Sequence, residues 1–290
     1  MSRSDPQVAA ANAKVNLGLR VQSRGDDGLH PIRGVFQSID WSDRLQIAGA
    51  DEDEVVVTGG SAPADESNLA WRAAEAVRQI AGSADPMRVE LDKSVPDGAG
   101  LGGGSADAAA ALILASRRYG VPFEDVRRLA VDLGADVPFA LVGGTAIVSG
   151  IGELIQPHRD ATGFAIAIVV PELSLETAAV YRAWDDLDGP DGPTHPEGAL
   201  PPALRDLAPL GNDLYPAAIS VAPEIDDWRA ELEEAWGVPV SMTGSGSGLF
   251  AYFPTLDEAE DAVTAAPATA RAARAVTPID HGWRILEEGE

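Results

Sequence analysis

The chain has 290 residues, 45% of them hydrophobic, and is therefore long enough for a substantial core and for two domains. It carries 46 acidic and 21 basic residues, a net charge of −25, which argues against nucleic acid or an anionic membrane as a partner. The absence of cysteine excludes disulfides and thiolate metal sites.

The N-terminal segment has no long apolar stretch and no cleavage pattern, so we predict no signal peptide. No apolar run approaches the roughly 18–20 residues that cross a bilayer. We therefore expect a cytoplasmic protein, monomeric or homodimeric. Because the surface is acidic, an anionic ligand would need a binding site with locally positive potential. The chain has 19 arginines and only two lysines, Lys14 and Lys93. This scarcity indicates that each lysine stands where a compact ammonium is needed.

The N-terminal half predicts strands, with helices between them. Apolar residues occupy every second position of 13–21, so a half-buried strand is expected. Lys14 and Asn16 would lie side by side on its polar face. Strands are expected over 32–49, 54–60 and 87–93, and a hairpin over 144–157. Helical spacing over 68–82 places Leu69, Val77 and Ile80 on one apolar side. Further helices are predicted up to about Tyr119 and over 122–134.

The C-terminal half predicts a second domain. The apolar segment 165–171 is expected to be its first strand, and we place the two domains at 1–157 and 158–290. Residues 184–204 are rich in Pro, Gly and Asp and predict an exposed loop. Helices are expected near 212–220 and over 223–236. A strand, a glycine turn and a strand follow over 239–254, and an alanine-rich helix over 257–274.

Five glycines fall within residues 98–104, immediately before an alanine-rich helix. The spacing formally matches a dinucleotide-binding loop, but another helix follows where that fold needs a strand. A P-loop would need a Gly-Lys-Ser/Thr ending, and this loop ends Gly103-Gly104-Ser105. Glycines still let several backbone N–H groups converge beside a helix N-terminus, which favours a phosphate group. The alternative is a close-packing turn without a ligand.

Several spaced motifs resemble those of the GHMP kinases, the family of galactokinase, homoserine kinase and mevalonate kinase. They are "ANAKVNLGLRV", "RGDDGLHPIRGVFQSID", "VPDGAGLGGGSADAAAAL", "LGADVPFALVGGTAIVSGIGE" and "MTGSGSGLFAYF", which occur in order over nearly the whole chain. The resemblance implies an α+β fold of two domains with the active site in the cleft between them. It also implies phosphoryl transfer from ATP, with Mg²⁺, to an alcohol group of a small molecule. No protein ligand for Mg²⁺ is identified.

The resemblance implies roles for residues on the nucleotide side. Asp136 would be the general base that accepts the hydroxyl proton, and Lys14 would lie beside it. Asn68 and Lys93 match positions near the adenosine. The ATP phosphates would be held by Pro96, Gly98, Gly100, Leu101, Gly102, Gly103, Gly104 and Ser105.

Within the family, the motifs most resemble the branch that acts on a methylerythritol carrying a cytidine diphosphate group. This implies phosphorylation of its 2-hydroxyl in non-mevalonate isoprenoid precursor synthesis. His30 would bind the cytosine edge, and Leu29 stands where that branch has an aromatic residue. The other implied substrate-binding residues are Asn16, Thr177, Tyr181, Gly244 and Gly246.

Two other interpretations stay open from the sequence. Leu29 in place of an aromatic residue allows a kinase of another small alcohol, such as homoserine, mevalonate or a sugar, because leucine offers the base no stacking face. A nucleotide-binding protein without turnover is the third possibility. The presence of both Lys14 and Asp136 argues against it.

Overall fold

A computed structural model describes residues 7–26 and 28–287. Residues 1–6, which belong to the segment without a signal pattern, lie outside the described part. The strands are β1 Gln7–Val21, β2 Ile32–Gly49, β3 Glu54–Thr58, β4 Met87–Asp92, β5 Thr145–Gly150, β6 Leu154–Pro157, β7 Ala165–Val170, β8 Ser241–Met242, β9 Leu249–Phe253, β10 Ala272–Val276 and β11 Trp283–Ile285. The α-helices are α1 Leu69–Ile80, α2 Gly103–Tyr119, α3 Phe123–Leu133, α4 Val137–Val142, α5 Thr177–Asp186, α6 Tyr215–Val221, α7 Glu224–Trp236 and α8 Leu256–Thr264.

The strands form two sheets. The larger has the order β11-β1-β2-β4-β3, with β5 and β6 added along the first half of β2, and its one parallel pair among the described residues is β3 with β4. The smaller is antiparallel, with the order β10-β7-β9-β8. The domain boundary after residue 157 stays a prediction, and β11 returns from the C-terminal end to pair with β1.

Strand β1 is buried on both faces, whereas its alternating sequence predicts a half-buried strand. Its pairing with β2 shifts register between Asn12 and Lys14. Ala11 before the shift packs among the helices of the larger sheet, and Val15 after it packs against the second sheet. A bulge of this kind changes which face a side chain occupies. Lys14 therefore lies on the face opposite the intersheet core and is itself 6% exposed.

Helices cover the two sheets from outside. Helix α2 is alanine-rich because its side chains are enclosed by α1, α3 and the larger sheet, and small residues let these elements approach closely. Helices α5 to α8 contribute to a second core that includes β7 and β9. A third core lies between the sheets and contains Leu17, Trp41, Ile168 and Phe250. The glycine-rich segments 98–104 and 243–248 meet beside this intersheet core.

Three predicted elements need correction. The alanine-rich helix expected over 257–274 ends at Thr264, before Pro267, and β10 begins at Ala272, where the chain pairs with β7. The loop expected over 184–204 contains the end of α5 and the buried residues His195 and Leu200. Ile80, predicted on the apolar side of α1, is half exposed at the helix end. No helix in the described ranges is long and apolar enough to cross a membrane.

His195 is buried beneath the smaller sheet. Its ring centroid lies 5.1 Å from that of Tyr252, and its Nε2 lies 2.6 Å from Ser241 Oγ. Burial, with the nearby Arg229 guanidinium, lowers the pKa of His195 to about 4 from an ordinary value of 6.5. The unfolded chain therefore binds a proton on this ring between those pH values, and the folded chain does not.

We predict that His195 contributes about 2 kcal/mol to the loss of stability between pH 7.5 and pH 5, since the unfolded imidazole is protonated in that range. His195→Gln, which does not titrate, should show a shallower fall in the free energy of unfolding over the same interval. Urea unfolding of both proteins at the two pH values measures the difference. An identical pH dependence in the variant would mean that His195 is protonated in the folded chain.

Candidate active site

A cavity of about 540 Å³ lies where the glycine-rich segments meet β1 and α5. One wall is the segment 96–105, which includes all eight residues predicted to hold phosphates. The opposite wall comes from the C-terminal half, with Thr177, Tyr181, Gly244 and Gly246. Lys14, Asn16 and Asp136 line the cavity between these walls. The fold thus brings together most of the site residues that the sequence predicts.

Lys14 is held by oxygen atoms from three parts of the chain. Its Nζ donates to Asn16 Oδ1 at 2.6 Å and to the Gly100 carbonyl at 3.0 Å, and it lies 3.2 Å from Asp136 Oδ2. The ammonium also lies 5.2 Å from the centre of the Phe36 ring. A nearly buried ammonium with such partners is fixed in position, so it presents one compact positive charge to the cavity.

Asp136 immediately precedes α4, in the short turn that links this helix to α3. The backbone N–H groups of Val137 and Ala140 donate to the carbonyls of Gly134 and Asp136, so this turn is well defined. The Asp136 carboxylate is 30% exposed and faces the cavity beside Lys14. A carboxylate in this position can accept a proton from a hydroxyl placed in the cavity.

The glycine-rich segment 98–104 takes a conformation that L side chains rarely adopt. Gly98, Gly100 and Gly102 have φ of +66°, +72° and +69°. Among the described residues, no side chain caps the N-terminus of α2 and its first turn contains no acidic residue. Its free N–H groups therefore face the cavity, and an anion there gains both hydrogen bonds and the positive end of the helix dipole.

The two glycine-rich segments support each other directly. A Cβ on Gly100 would lie 2.2 Å from the Thr243 carbonyl oxygen, so only glycine permits this approach. Thr243 Oγ1 donates to the Gly100 carbonyl at 3.1 Å and accepts from the Asn16 backbone N–H at 3.0 Å. Gly248 donates to the Ala99 carbonyl at 3.1 Å. The glycines of this segment therefore serve close packing between the two segments as well as lining the cavity.

A second cavity of about 550 Å³ adjoins the first, and Tyr181 and Ala135 line both. Leu29 and His30, from the turn between β1 and β2, form part of its wall, with Ile151 and Pro138 nearby. The walls of this side cavity are mainly apolar. An elongated ligand could place a charged group in the first cavity and a flat apolar group in the side cavity.

Helix α5 supplies the boundary between the two cavities. Thr177 Oγ1 lies 2.9 Å from Ser245 Oγ, which links this helix to the glycine turn of 243–246. Burial, together with the Asp136 carboxylate, raises the pKa of Tyr181 to about 12. The Tyr181 hydroxyl is therefore neutral at physiological pH, and the residue lines both cavities.

Lys93 and Asn68, predicted near an adenosine, do not line either cavity. The Lys93 ammonium lies between Asp43 Oδ2 at 2.5 Å and Asp107 Oδ2 at 2.6 Å, with 1% of its side chain exposed. Burial lowers the pKa of Lys93, but the two carboxylates outweigh that effect and leave it raised. Asn68 is the N-cap of α1, where its Oδ1 accepts from the Ala70 N–H.

Some residues of the site were missed from the sequence. Thr243 joins Asn16 to Gly100, and its position just before the glycine turn was the available signal. Phe36 lies under the Lys14 ammonium, and nothing in the sequence pattern indicates this contact. Asp185 contacts His30 at 2.8 Å, although it belongs to an acidic run that looks like ordinary solvated surface.

The part of the chain that the structure describes contains no cluster of three His, Asp or Glu side chains that could hold a metal ion. Asp97 and Asp136 are the carboxylates that line the first cavity. The Asp97 carboxylate already accepts hydrogen bonds from the Ser61 N–H and hydroxyl.

Comparison with known proteins gives matches in both halves of the chain. Residues 68–144 match the family model described as the GHMP kinases N terminal domain, and residues 199–272 match the GHMP kinases C terminal model. A protein of Chlorobium limicola named 4-diphosphocytidyl-2-C-methyl-D-erythritol kinase is 35% identical over 265 residues, 89% of this chain and 92% of the relative. A protein of the same name from Cutibacterium acnes is 37% identical, covering 81% of this chain and 82% of the relative.

Solved structures give the same result. A crystal structure of 4-(cytidine 5'-diphospho)-2C-methyl-D-erythritol kinase superposes with a TM-score of 0.77 and 37% identity, over 93% of this chain and 98% of the other. Homoserine kinase from Cytophaga hutchinsonii superposes with a TM-score of 0.72 at 18% identity, over 99% of both chains. The second similarity concerns the fold alone.

We predict that Gly100→Ala lowers the free energy of unfolding by about 1–3 kcal/mol, because φ is positive there and the added carbon meets the Thr243 carbonyl. Gly104→Ala is the matched control, since a Cβ at that position has no atom within 4 Å. It should change the free energy of unfolding by less than about 0.5 kcal/mol. Urea unfolding of both variants measures this, and equal stabilities would contradict the tight contact between the two segments.

Proposed function

Because the chain belongs to the GHMP kinase family, we propose that the Lys14–Asp136 pair, beside the glycine-rich segment, carries its phosphoryl transfer. The predicted family, α+β fold and kinase activity are confirmed. The protein is an ATP-dependent small-molecule kinase. We propose that it phosphorylates the 2-hydroxyl of 4-diphosphocytidyl-2-C-methyl-D-erythritol, the substrate that the names of its relatives indicate.

On the nucleotide side, the ATP phosphates would lie against the segment 96–105. Backbone N–H groups at the N-terminus of α2 would donate to the phosphate oxygens, and the glycines leave room for them. This placement supplies positive potential from the backbone in a chain whose net charge is −25. Lys93 would support this segment without lining the cavity. Its ammonium, directly after β4, pairs with Asp43 of β2 and with Asp107 of α2.

On the acceptor side, Asp136 would take the proton from the substrate hydroxyl as the hydroxyl oxygen attacks the γ-phosphorus. The O–H bond breaks, the new O–P bond forms, and ADP leaves with the electrons of the broken P–O bond. Lys14 would balance the charge that develops on the attacking oxygen, because its ammonium lies 3.2 Å from the Asp136 carboxylate. Phosphoryl transfer depends mainly on such positioning and charge stabilisation.

The side cavity would hold the cytidine group. Its apolar walls suit a flat base, with the Tyr181 ring on one side and Leu29 on the other. Asn16 would contact the methylerythritol, since it lines the first cavity beside Lys14. Thr177, Gly244 and Gly246 would border the diphosphate between the two cavities.

Mg²⁺ would enter as part of the ATP complex. Magnesium is usually bound through substrate phosphates and one or two carboxylates, which fits a chain without a resident cluster of ligands in its described part. When bound, the ion neutralises phosphate charge. The reaction steps assigned to Asp136 and Lys14 do not depend on a protein ligand for it.

An ADP-release assay with a panel of alcohols tests this function. The panel pairs the cytidine-diphosphate substrate with free 2-C-methylerythritol, homoserine, mevalonate and a simple sugar. We expect the highest kcat/KM for the cytidine-diphosphate substrate, because it alone occupies both cavities. Higher kcat/KM for homoserine, mevalonate or the sugar would support the alternative raised by Leu29, a GHMP kinase of another small alcohol.

We predict that Asp136→Asn lowers kcat by at least ~100-fold while ATP binding and stability are retained, because an amide cannot accept the hydroxyl proton. Asp132→Asn, on the exposed side of α3, is the matched control and should keep full activity. Steady-state ADP release and ATP titration measure the two effects. Turnover of Asp136→Asn near that of the control would remove Asp136 from proton transfer.

We predict that Leu29→Tyr lowers KM for the cytidine substrate, because an aromatic ring can stack on the base. The gain in binding free energy should be up to ~1–3 kcal/mol. Leu29 is 48% exposed, which leaves room for the larger ring. The kcat should stay constant, since the base is remote from the transferred phosphoryl group. Leu154→Tyr, on the exposed strand β6, is the control, and a KM unchanged in both variants would place the base elsewhere.

A further inference from the structure

Asn212 links strand β1 to the glycine turn of 243–246. The residue is 5% exposed, and its Nδ2 donates to the Met242 carbonyl at 2.8 Å and to the Gly244 carbonyl at 2.8 Å. Its Oδ1 accepts from the Leu214 N–H at 2.9 Å. Both N–H groups and the oxygen of this amide are therefore engaged within the protein, and both N–H groups hold the glycine turn or the residue before it.

The backbone on either side of Asn212 is fixed to β1. The Leu19 N–H donates to the Gly211 carbonyl at 2.7 Å, and the Asp213 N–H donates to the Leu19 carbonyl at 2.9 Å. The Asp213 carboxylate accepts from a further N–H of β1 at 3.0 Å. The same strand carries Lys14, so Asn212 fixes where the glycine turn stands relative to that lysine.

The contact with Gly244 determines which way one peptide group of the turn faces. The Gly244 carbonyl points to Asn212, which lines a separate cavity of about 490 Å³ and not the first cavity. The peptide bond after Gly244 is trans and planar, so the N–H of Ser245 points the opposite way. Backbone hydrogen bonds within 243–248 use other N–H groups than this one. Ser245 lines the first cavity, and its N–H is therefore a donor available there.

We propose that Asn212 is a positioning residue for the substrate that accepts the phosphoryl group: it directs the Ser245 N–H into the first cavity, where this N–H donates to the diphosphate group. The inference rests on the proposed function, in which the diphosphate lies between the two cavities beside Thr177. The Ser245 hydroxyl is 2.9 Å from Thr177 Oγ1, which keeps the Ser245 backbone at that place. A hydrogen bond from an N–H group to a charged oxygen is a strong one.

A purely structural role for Asn212 leads to a different result. If Asn212 only stabilised the turn, its loss would lower the free energy of unfolding and weaken ligands with and without phosphate groups together. The orientation of one peptide group affects only a ligand that reaches the Ser245 N–H. Cytidine and cytidine diphosphate share the base and the ribose, and only the second carries the diphosphate. The ratio of their affinities therefore separates the two roles.

Isothermal titration of wild type and Asn212→Ser with cytidine and with cytidine diphosphate tests the inference, with saturating ADP present to occupy the ATP site. Serine keeps an acceptor for the Leu214 N–H but cannot reach the carbonyls of Met242 and Gly244. We expect the wild type to bind cytidine diphosphate at least tenfold more tightly than cytidine. In Asn212→Ser this ratio should fall about tenfold, the effect of losing a hydrogen bond to a charged group, while the Kd for ADP stays within twofold.

Asn12→Ser is the matched control, because Asn12 is also buried and its Nδ2 donates to a backbone carbonyl, that of His281. It should keep the wild-type ratio. A wild-type ratio in Asn212→Ser would overturn the inference and leave the proposed function standing. If the wild type binds neither cytidine nor cytidine diphosphate, the proposed function fails, and the inference fails with it.

The amide chemical shift of Ser245 gives a second measurement, on the wild type alone, that does not depend on the folding of a variant. Cytidine diphosphate should move the Ser245 amide proton downfield, as expected for a donor to a charged oxygen, and cytidine should leave it in place. Equal shifts with the two compounds, or no shift with cytidine diphosphate, would also overturn the inference.

Discussion

The ammonium group of Lys14 joins the parts of the chain on which the site depends. It bonds to Asn16 on its own strand and to Gly100 in the glycine-rich segment, and it lies beside Asp136 before α4. These oxygens surround one point, which suits a compact ammonium with three separate donors. Gly102 is part of the same arrangement, since a Cβ there would lie 2.9 Å from the Lys14 side chain. Strand β1 must therefore be buried on both faces, which the register shift at Asn12 makes possible.

The net charge of −25 sets the second constraint, because an acidic protein must still bind a highly charged nucleotide. In the function that we propose, backbone N–H groups at the N-terminus of α2 meet this constraint, since Lys14 is the one lysine or arginine among the described residues that lines the first cavity. The second lysine, Lys93, forms ion pairs with two buried carboxylates, Asp43 and Asp107. Losing one partner of such a buried group is strongly destabilising, so the group holds α2 and the preceding strand in a fixed relation.

Much of the fold and of the candidate site could be predicted from the sequence. Alternation placed Lys14 and Asn16 side by side, and the glycines before α2 pointed to the segment that lines the cavity; both inferences depend on local spacing. The helix expected over 257–274 was wrong because the alanines of β10 favour a helix locally, while pairing with β7 decides for a strand. The position of Lys93 and the contacts of Thr243 and Asp185 could not be predicted, because each depends on residues distant in the sequence.

The account depends most directly on the geometry of the Lys14 ammonium, and Lys14→Arg tests it because the substitution keeps the charge. A planar guanidinium cannot bond to Asn16, Gly100 and Asp136 at once, and it would crowd Gly102. Arg20→Lys, on the same strand, is the reverse control. The account predicts a kcat at least ~100-fold below wild type for Lys14→Arg, with ADP release near wild type for the control. Wild-type kcat in Lys14→Arg would contradict it, since positive charge alone would then suffice.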